Sequence, residues 1–240
     1  MSATETPNPP PAEARAQAKH LLRIARTGAL ATLDRTSGAP LTTLVSVASD
    51  YDGAPLFLLS ALARHTKNLR DDARGSLLLT SQWERGDPLN RPRLTIGGPI
   101  AAHFELKARA RFLARNLKAK LYASFVDFSV FRMEITAVHF NGGFARAAAL
   151  TPRDILTDLA GADSLLEAET ALLDEVNARD AAFVARLAGS GTRRWRAVGL
   201  DPDGLDLTAG SRAKRISFLE PKSSPQAWRE SLGACPNEAR

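Results

Sequence analysis

Leu59-Ser60-Ala61-Leu62-Ala63-Arg64-His65-Thr66-Lys67-Asn68-Leu69 is the stretch on which the fold turns. It closes the apolar run Leu56–Ser60 and opens a short helix near Thr66, whose hydroxyl suits an N-cap. A helix start at the end of a strand gathers unpaired N–H groups and positive dipole at one point, which favours phosphate. Ser60, Arg64, His65, Thr66, Lys67 and Asn68 add hydroxyl, cationic and amide donors there. The same spacing also fits an ordinary capped helix with solvated charges.

Working outward, Ala12–Thr27 is rich in Ala, Arg and Leu, follows three prolines and stops at Gly28, which reads as a helix behind a loose tail, 1–11. Short apolar or β-branched runs follow, each closed by turn residues: Ala29–Leu33, Leu41–Ser49, Leu56–Ser60, Ser76–Trp83, Arg93–Phe104 and Val130–Phe140. Gly97-Gly98-Pro99 marks a bulge where a strand changes direction. Six strand-like runs with only short helices between them favour an antiparallel barrel over a parallel βαβ sheet.

Charge and pattern both change near Thr151–Gly161, so two domains are expected, 12–150 and 151–240. Ser164-Leu165-Leu166-Glu167 fits a capping box, and apolar residues then recur at helical spacing from Leu165 to Leu187. Trp195–Leu200, the turn Asp201-Pro202-Asp203-Gly204 and Leu205–Thr208 read as a hairpin. A third strand, Lys214–Leu219, and a last helix, Pro225–Leu232, complete a small α+β unit.

The composition narrows the function classes. At 240 residues, 44% hydrophobic and 24% charged, the chain is an ordinary globular one. No apolar run reaches the roughly 20 residues that span a bilayer, and the N-terminal stretch lacks a secretory pattern, so a cytoplasmic protein is expected. One cysteine, Cys235, excludes an internal disulfide and a cysteine zinc site. The net charge of +6 lies in the first part, where residues 1–150 carry 20 Lys/Arg against 12 Asp/Glu. Its local peak is Lys107, Arg109, Arg111, Arg115, Lys118 and Lys120, which reads as a solvated helix face or a lure for an anionic ligand. Nucleic-acid binding is disfavoured, because no basic strand platform with interleaved aromatics appears. Nucleophile-elbow, zinc-protease, P-loop and dinucleotide signatures are absent. The histidines His20, His65, His103 and His139 lack ligand spacing, so no metal site is expected.

The ordered motifs carry a resemblance. Gly28-Ala29-Leu30-Ala31-Thr32-Leu33, Leu59-Ser60-x-Leu62-Ala63-x-His65-Thr66-x-Asn68-Leu69, Arg93-Leu94-Thr95 and Leu121-Tyr122-Ala123-x-Phe125-x-Asp127-Phe128 stand in the order of the pyridoxamine 5′-phosphate oxidase-like split barrels. Asp52-Gly53-x-Pro55, Gly86-Asp87-Pro88-Leu89 and Gly143-Phe144-x-Arg146-Ala147 extend the match over residues 20–148. The chain most resembles the heme-utilisation (HugZ-type) branch, whose small C-terminal domain is similar to Gly199–Leu207. The resemblance implies an α+β protein, a six-stranded antiparallel split β-barrel followed by a small α+β domain. It also implies a homodimer with FMN, or in the HugZ-type branch heme, at the subunit interface. FMN phosphate would then meet Ser60, His65, Thr66 and Asn68. Thr42, Thr43 and Leu44 would line the isoalloxazine edge, with Arg93 and Thr95 approaching from a neighbouring strand.

Three departures bear on function. The branch opens a C-terminal helix with a His-Met-Asn-x-Asp-His-like run, whereas this chain has Glu175-Val176-Asn177-Ala178-Arg179-Asp180. A carboxylate is a poor substitute for imidazole on heme iron, so His65, His103 or His139 would have to serve as axial ligand. Arg115-Asn116-Leu117 replaces Arg-His-Pro, and Ala145 replaces the glycine after Phe144. The resulting expectation is an FMN-binding protein, a flavin-dependent oxidoreductase acting on an unknown small molecule, in which the cofactor carries the redox chemistry. The alternatives are a heme-binding or heme-degrading protein and a non-catalytic member of the fold.

Overall fold

The computed structural model describes residues 12–81, 87–143, 147–189 and 194–234. The tail 1–11, Trp83, the turn Glu84-Arg85-Gly86, Phe144 with Ala145 and Arg146, and Cys235 lie outside the described residues.

Helix α1 (Ala12–Ile24) leads into β1 (Thr27–Leu33), β2 (Pro40–Ser46), β3 (Ala48–Ser49) and β4 (Pro55–Ser60). After α2 (Arg64–Asp71) come β5 (Arg74–Thr80), β6 (Arg93–Ala102), α3 (Leu106–Arg115), β7 (Phe128–Met133), β8 (Ala137–Asn141) and β9 (Ala147–Ala149). The strands form one antiparallel, curled nine-stranded sheet in the order β2-β1-β5-β6-β7-β4-β3, with β8 joining β6 to β9. The fold class is the α+β split barrel expected, but the strand count is higher than six. Leu41–Ser49 breaks at Val47, which leaves β2 to bond through Arg26 O instead, and Val130–Phe140 breaks at the corner between β7 and β8.

That corner explains the glycines of β6. Against β5 the register runs unbroken from Arg74↔Pro99 to Thr80↔Arg93, so no bulge forms on that side. The other edge of β6 changes partner, from β8 at Gly97↔Ala137 to β7 at Ile100↔Met133. Gly98 has φ 156°, and a Cβ there would lie 1.8 Å from the Glu134 carbonyl oxygen. Only glycine admits this approach.

Strand alternation places Leu30, Leu77, Leu79, Leu94, Ile96 and Phe140 inside, where Leu21 and Leu22 of α1 close the core. Strand β4 is buried on both faces. Phe57 and Leu59 enter this core, whereas Leu56 and Leu58 pack on Ala108 and Phe112 of α3.

The rest of the chain forms α4 (Pro152–Ile155), α5 (Asp163–Glu167), α6 (Glu169–Ala178), α7 (Ala181–Leu187), β10 (Arg196–Asp201), β11 (Gly204–Ala209), β12 (Arg212–Ser217) and α8 (Pro225–Ala234). The periodic stretch from Leu165 is three helices rather than one, because Ala168 and Arg179-Asp180 interrupt it. The Ser164 capping box does not form: α5 starts at Asp163 with Ala162 at the uncapped N-cap position. Among the described residues, Thr151 with Asp154 caps α4, Asp180 accepts from Phe183 N at 2.6 Å at α7, and Ser224 Oγ accepts from Ala227 N at 3.3 Å at α8. The β10-β11-β12 sheet and the helices share a second apolar cluster around Leu165, Leu172, Leu200, Leu205, Leu207 and Trp228.

A buried ionic cluster joins the two halves. Two of the six residues of the basic peak in 107–120 are not solvated: Arg111 and Arg115, one helical turn apart on α3, point inward. Arg111 pairs with Glu169 and donates to Leu200 O at 2.9 Å, and Arg115 meets Asp206 at 3.0 Å. Arg215 bridges Asp201 at 2.6 Å and Asp206 at 3.1 Å, while Arg23 of α1 reaches Asp201 at 3.1 Å. Burial would push the Asp201 carboxyl up, but the charges of Arg215 and Arg23 outweigh it and hold it well below the ordinary range. Such a carboxylate contributes stability that is complete above its unfolded pKa and is lost as pH falls below it.

Asp201→Asn therefore leaves two buried guanidiniums short of an anion and should cost about 3–5 kcal/mol in urea unfolding at pH 7. The wild type should lose stability as pH drops below about 4, the ordinary carboxylate range, whereas the variant should show a flatter acid limb.

Candidate functional site

The strand register assembles one outer face from residues far apart in sequence. Leu44 pairs with Ala29, Ala29 with Leu78, Leu78 with Thr95, Thr95 with His139 and His139 with Ala149, so all six side chains share a row. A parallel row holds Thr42, Ala31, Ser76, Gly97 and Ala137. Apart from Leu44, Leu78 and His139 these side chains are small, so backbone lies close beneath the surface. Leu44 is 78% exposed and Leu78 is 38% exposed on this face. From the residues expected at a cofactor, the face gathers Thr42, Leu44 and Thr95, with Arg93 two residues along β6. Thr43 points to the opposite side of β2.

The corner at Ser60 is built differently from its sequence reading. Helix α2 begins at Arg64, with Ala63 at the N-cap, so Thr66 lies inside the first turn and caps nothing. Its side chain is fully buried and its hydroxyl has no hydrogen-bond partner. Asn68, also fully buried, spends its amide inside the protein: Nδ2 donates to Thr32 Oγ1 at 3.0 Å and Oδ1 accepts from Arg35 N at 3.1 Å. The Ser60 hydroxyl donates to the Asp127 carboxylate at 2.5 Å. Arg64 Nε donates to Asp34 at 2.9 Å, and bonds from Ser37 and Arg64 bring the Asp34 pKa down to about 2. His65 Nδ1 lies 3.1 Å from Thr43 Oγ1, and partial burial lowers its pKa. The structure thus brings His65 and Thr43 together, and turns Asn68 and Thr66 into packing residues beneath the helix.

The other histidines divide clearly. His103 Nε2 lies 4.0 Å from Asp50 and 3.9 Å from Glu105. His20 sits on α1, where partial burial and the Arg215 charge lower its pKa. His139 is exposed on the small-residue face and makes no hydrogen bond or ion pair among the described residues. The Glu175–Asp180 run has structural work in place of the branch's histidines. Glu175 pairs with Arg229 at 2.8 Å, Asp180 caps α7, and Asn177 exchanges two hydrogen bonds with Ala197 at 3.0 and 2.9 Å.

Residues 9–156 match the CREG, beta-barrel family. The chain belongs to that family. It is a split β-barrel of the pyridoxamine 5′-phosphate oxidase-like superfamily. A protein of unknown function from Agrobacterium tumefaciens is 36% identical, with 98% of this chain and 100% of that one covered and a TM-score of 0.85. A heme-binding protein from Mycobacterium smegmatis is 26% identical over 97% of each chain, with a TM-score of 0.56. The chloroplastic heme oxygenase HOZ of Arabidopsis thaliana is 34% identical over 115 residues, 46% of this chain and 34% of HOZ. The chain thus spans about a third of that curated relative. Among the described residues, no helix of this CREG-type barrel is long and apolar enough to cross a membrane.

The His139 row was not legible as a site, because its members come from six strands and only their register aligns them. The available signal was the alternation Ala137-Val138-His139-Phe140-Asn141, which puts the imidazole opposite a buried phenylalanine.

Thr66→Val separates capping from packing. Loss of an N-cap costs about 1 kcal/mol, whereas removing a buried hydroxyl without a partner is neutral or stabilising. Chemical denaturation should show Thr66→Val at least as stable as the wild type, and Asn68→Ala destabilised by about 1–3 kcal/mol.

Proposed function

We propose that this protein binds heme on the outer face of the barrel sheet, with His139 as the axial ligand. The observation that carries the reading is the exposed imidazole of His139, without a partner among the described residues, standing beside a face of small residues. A neutral imidazole is a common protein ligand of heme iron, and a face of Ala, Gly, Ser and Thr lets a planar ring approach the backbone. The similarity to the Mycobacterium smegmatis heme-binding protein and to the Arabidopsis thaliana heme oxygenase supports this reading over the flavin one. Bound heme would supply the redox-active iron; the chain's own residues would orient the ring and occupy one axial position.

The reading includes a homodimer. Exposed Leu44 and Leu78 on the same row are the apolar anchors a second copy would cover, and two-fold symmetry would place the face of each copy at one interface. Leu79, by contrast, points into the core and is fully buried.

Titration with hemin should give a Soret band that shifts on binding in the wild type and loses its histidine-ligated character in His139→Ala. An unchanged spectrum in His139→Ala, or no hemin binding by the wild type, would reject the reading. Light scattering should return twice the 25.8 kDa chain mass, and Leu44→Glu should shift it toward one chain mass with the fold retained.

A further inference from the structure

A cavity of about 500 Å³ lies at the seam between the barrel and α5, and no member of the His139 row lines it. Its charge is unbalanced. Asp50 and Asp52 come from the turn between β3 and β4 and Glu105 from the residue before α3, while Asp163 and Glu167 line it from α5. Two permanent cations stand against these five carboxylates. Arg132 of β7 is already committed to Asp50, at 3.0 Å, and to Asp52. Lys107 of α3 crosses the seam, where its Nζ donates to Leu166 O at 3.4 Å. The side chains of Asp163 and Glu167 make no hydrogen bond or ion pair among the described residues. Tyr51 also lines the cavity, but its hydroxyl donates to Glu169 at 2.5 Å, and burial raises its pKa, so it stays neutral.

His103 completes the lining. Its backbone N–H donates to Val130 O at 2.8 Å, which pins the residue to β7. The imidazole Nε2 is shut off from solvent and has no hydrogen-bond partner. It lies 4.0 Å from Asp50 and 3.9 Å from Glu105, just beyond hydrogen-bond reach of both. A buried nitrogen without a partner is unfavourable, and a proton would turn it into a donor with two anions beside it. Asp50 Oδ2 already accepts from Arg132, whereas the Glu105 side chain is 70% exposed and free to swing. Glu105 is therefore the first acceptor within reach.

We propose that His103 is a proton-operated clasp for this seam. With the imidazole neutral, the excess of carboxylates repels across the cavity and α5 is loosely held. With Nε2 protonated, the imidazolium hydrogen-bonds Glu105 and Asp50 and cancels part of the repulsion on Asp163 and Glu167, so α5 closes on the barrel. Leu165 keeps α5 anchored in the C-terminal core throughout, which confines the movement to the seam. The sense is opposite to that of Asp201, because a histidine that gains partners when charged tightens the seam as pH falls. The working range is that in which histidine ordinarily titrates, about pH 5–8. The clasp is independent of heme binding, since none of its groups belongs to the His139 row.

Hydrogen exchange of the full chain, corrected for the intrinsic rate, reads the clasp at Leu166 and Ala168, whose N–H groups bond Ala162 O and Ser164 O. Lowering the pH from about 7.5 to about 5.5 should slow exchange there about fivefold, the effect of one partly exposed ion pair. The His103 ring resonances should titrate together with that change. His103→Gln should exchange at the neutral-pH rate at both values. Glu105→Gln, at an exposed position, should keep the fold and lose most of the response. Exchange at α5 that is indifferent to pH in the wild type, or a response that His103→Gln leaves intact, would overturn the proposal. Should His103→Gln lose the native exchange pattern elsewhere in the chain, Glu105→Gln decides alone, and a full response in that variant overturns the clasp.

Discussion

The contact between Asp201 and the guanidiniums of Arg215 and Arg23 is the constraint on which the rest of the arrangement depends. Asp201 sits at the end of β10, Arg215 on β12 and Arg23 on α1, so one fully buried carboxylate ties the C-terminal hairpin to the helix that closes the barrel. Arg111 and Arg115 extend the same tie to α3 through Glu169 and Asp206. A buried ion cluster of this kind is a weak source of net stability compared with apolar packing, but it is intolerant of losing one member. It therefore fixes geometry more than it adds stability. What it fixes includes the β11–β12 turn, whose Gly210 carbonyl holds Arg26 and whose edge walls a cavity beside the sheet.

The barrel and the C-terminal unit contribute different parts of one surface. The sheet supplies a row that carries the His139 imidazole, without a partner among the described residues, and a next row that lines a cavity of about 850 Å³. The ion-locked hairpin and the segment after α3 supply the opposite wall and part of its charge. Cation and imidazole lie on adjacent strands, Arg93 on β6 and His139 on β8, one outward-facing position apart in register.

Much of the fold was legible in the sequence because turn residues punctuate it. The hairpin at Asp201-Pro202-Asp203-Gly204 and the strand ending at Ser60 lie where their composition puts them. The errors occurred where a local signal had a stronger competitor. Thr66 looks like a cap, yet the helix begins two residues earlier and the hydroxyl is buried. Ser164 and Glu167 have capping-box spacing, but Asp163 is already helical. Arg111 and Arg115 look like part of a solvated basic face, and their carboxylate partners lie between 58 and 91 residues away, a separation no local pattern reveals. The candidate site was partly visible for a similar reason. Thr42, Leu44, Thr95 and Arg93 do converge on one side of the sheet, whereas Asn68 and Thr66 serve packing. His139 acquires its place only through pairing with Thr95 and Ala149.

The most direct test is a crystal structure of the hemin-loaded protein. The iron should be bonded to His139 Nε2, with the porphyrin lying against the small-residue rows of the outer sheet face. Heme seated elsewhere, or iron bound by another side chain while His139 remains free, would contradict the assignment of this face as the functional site.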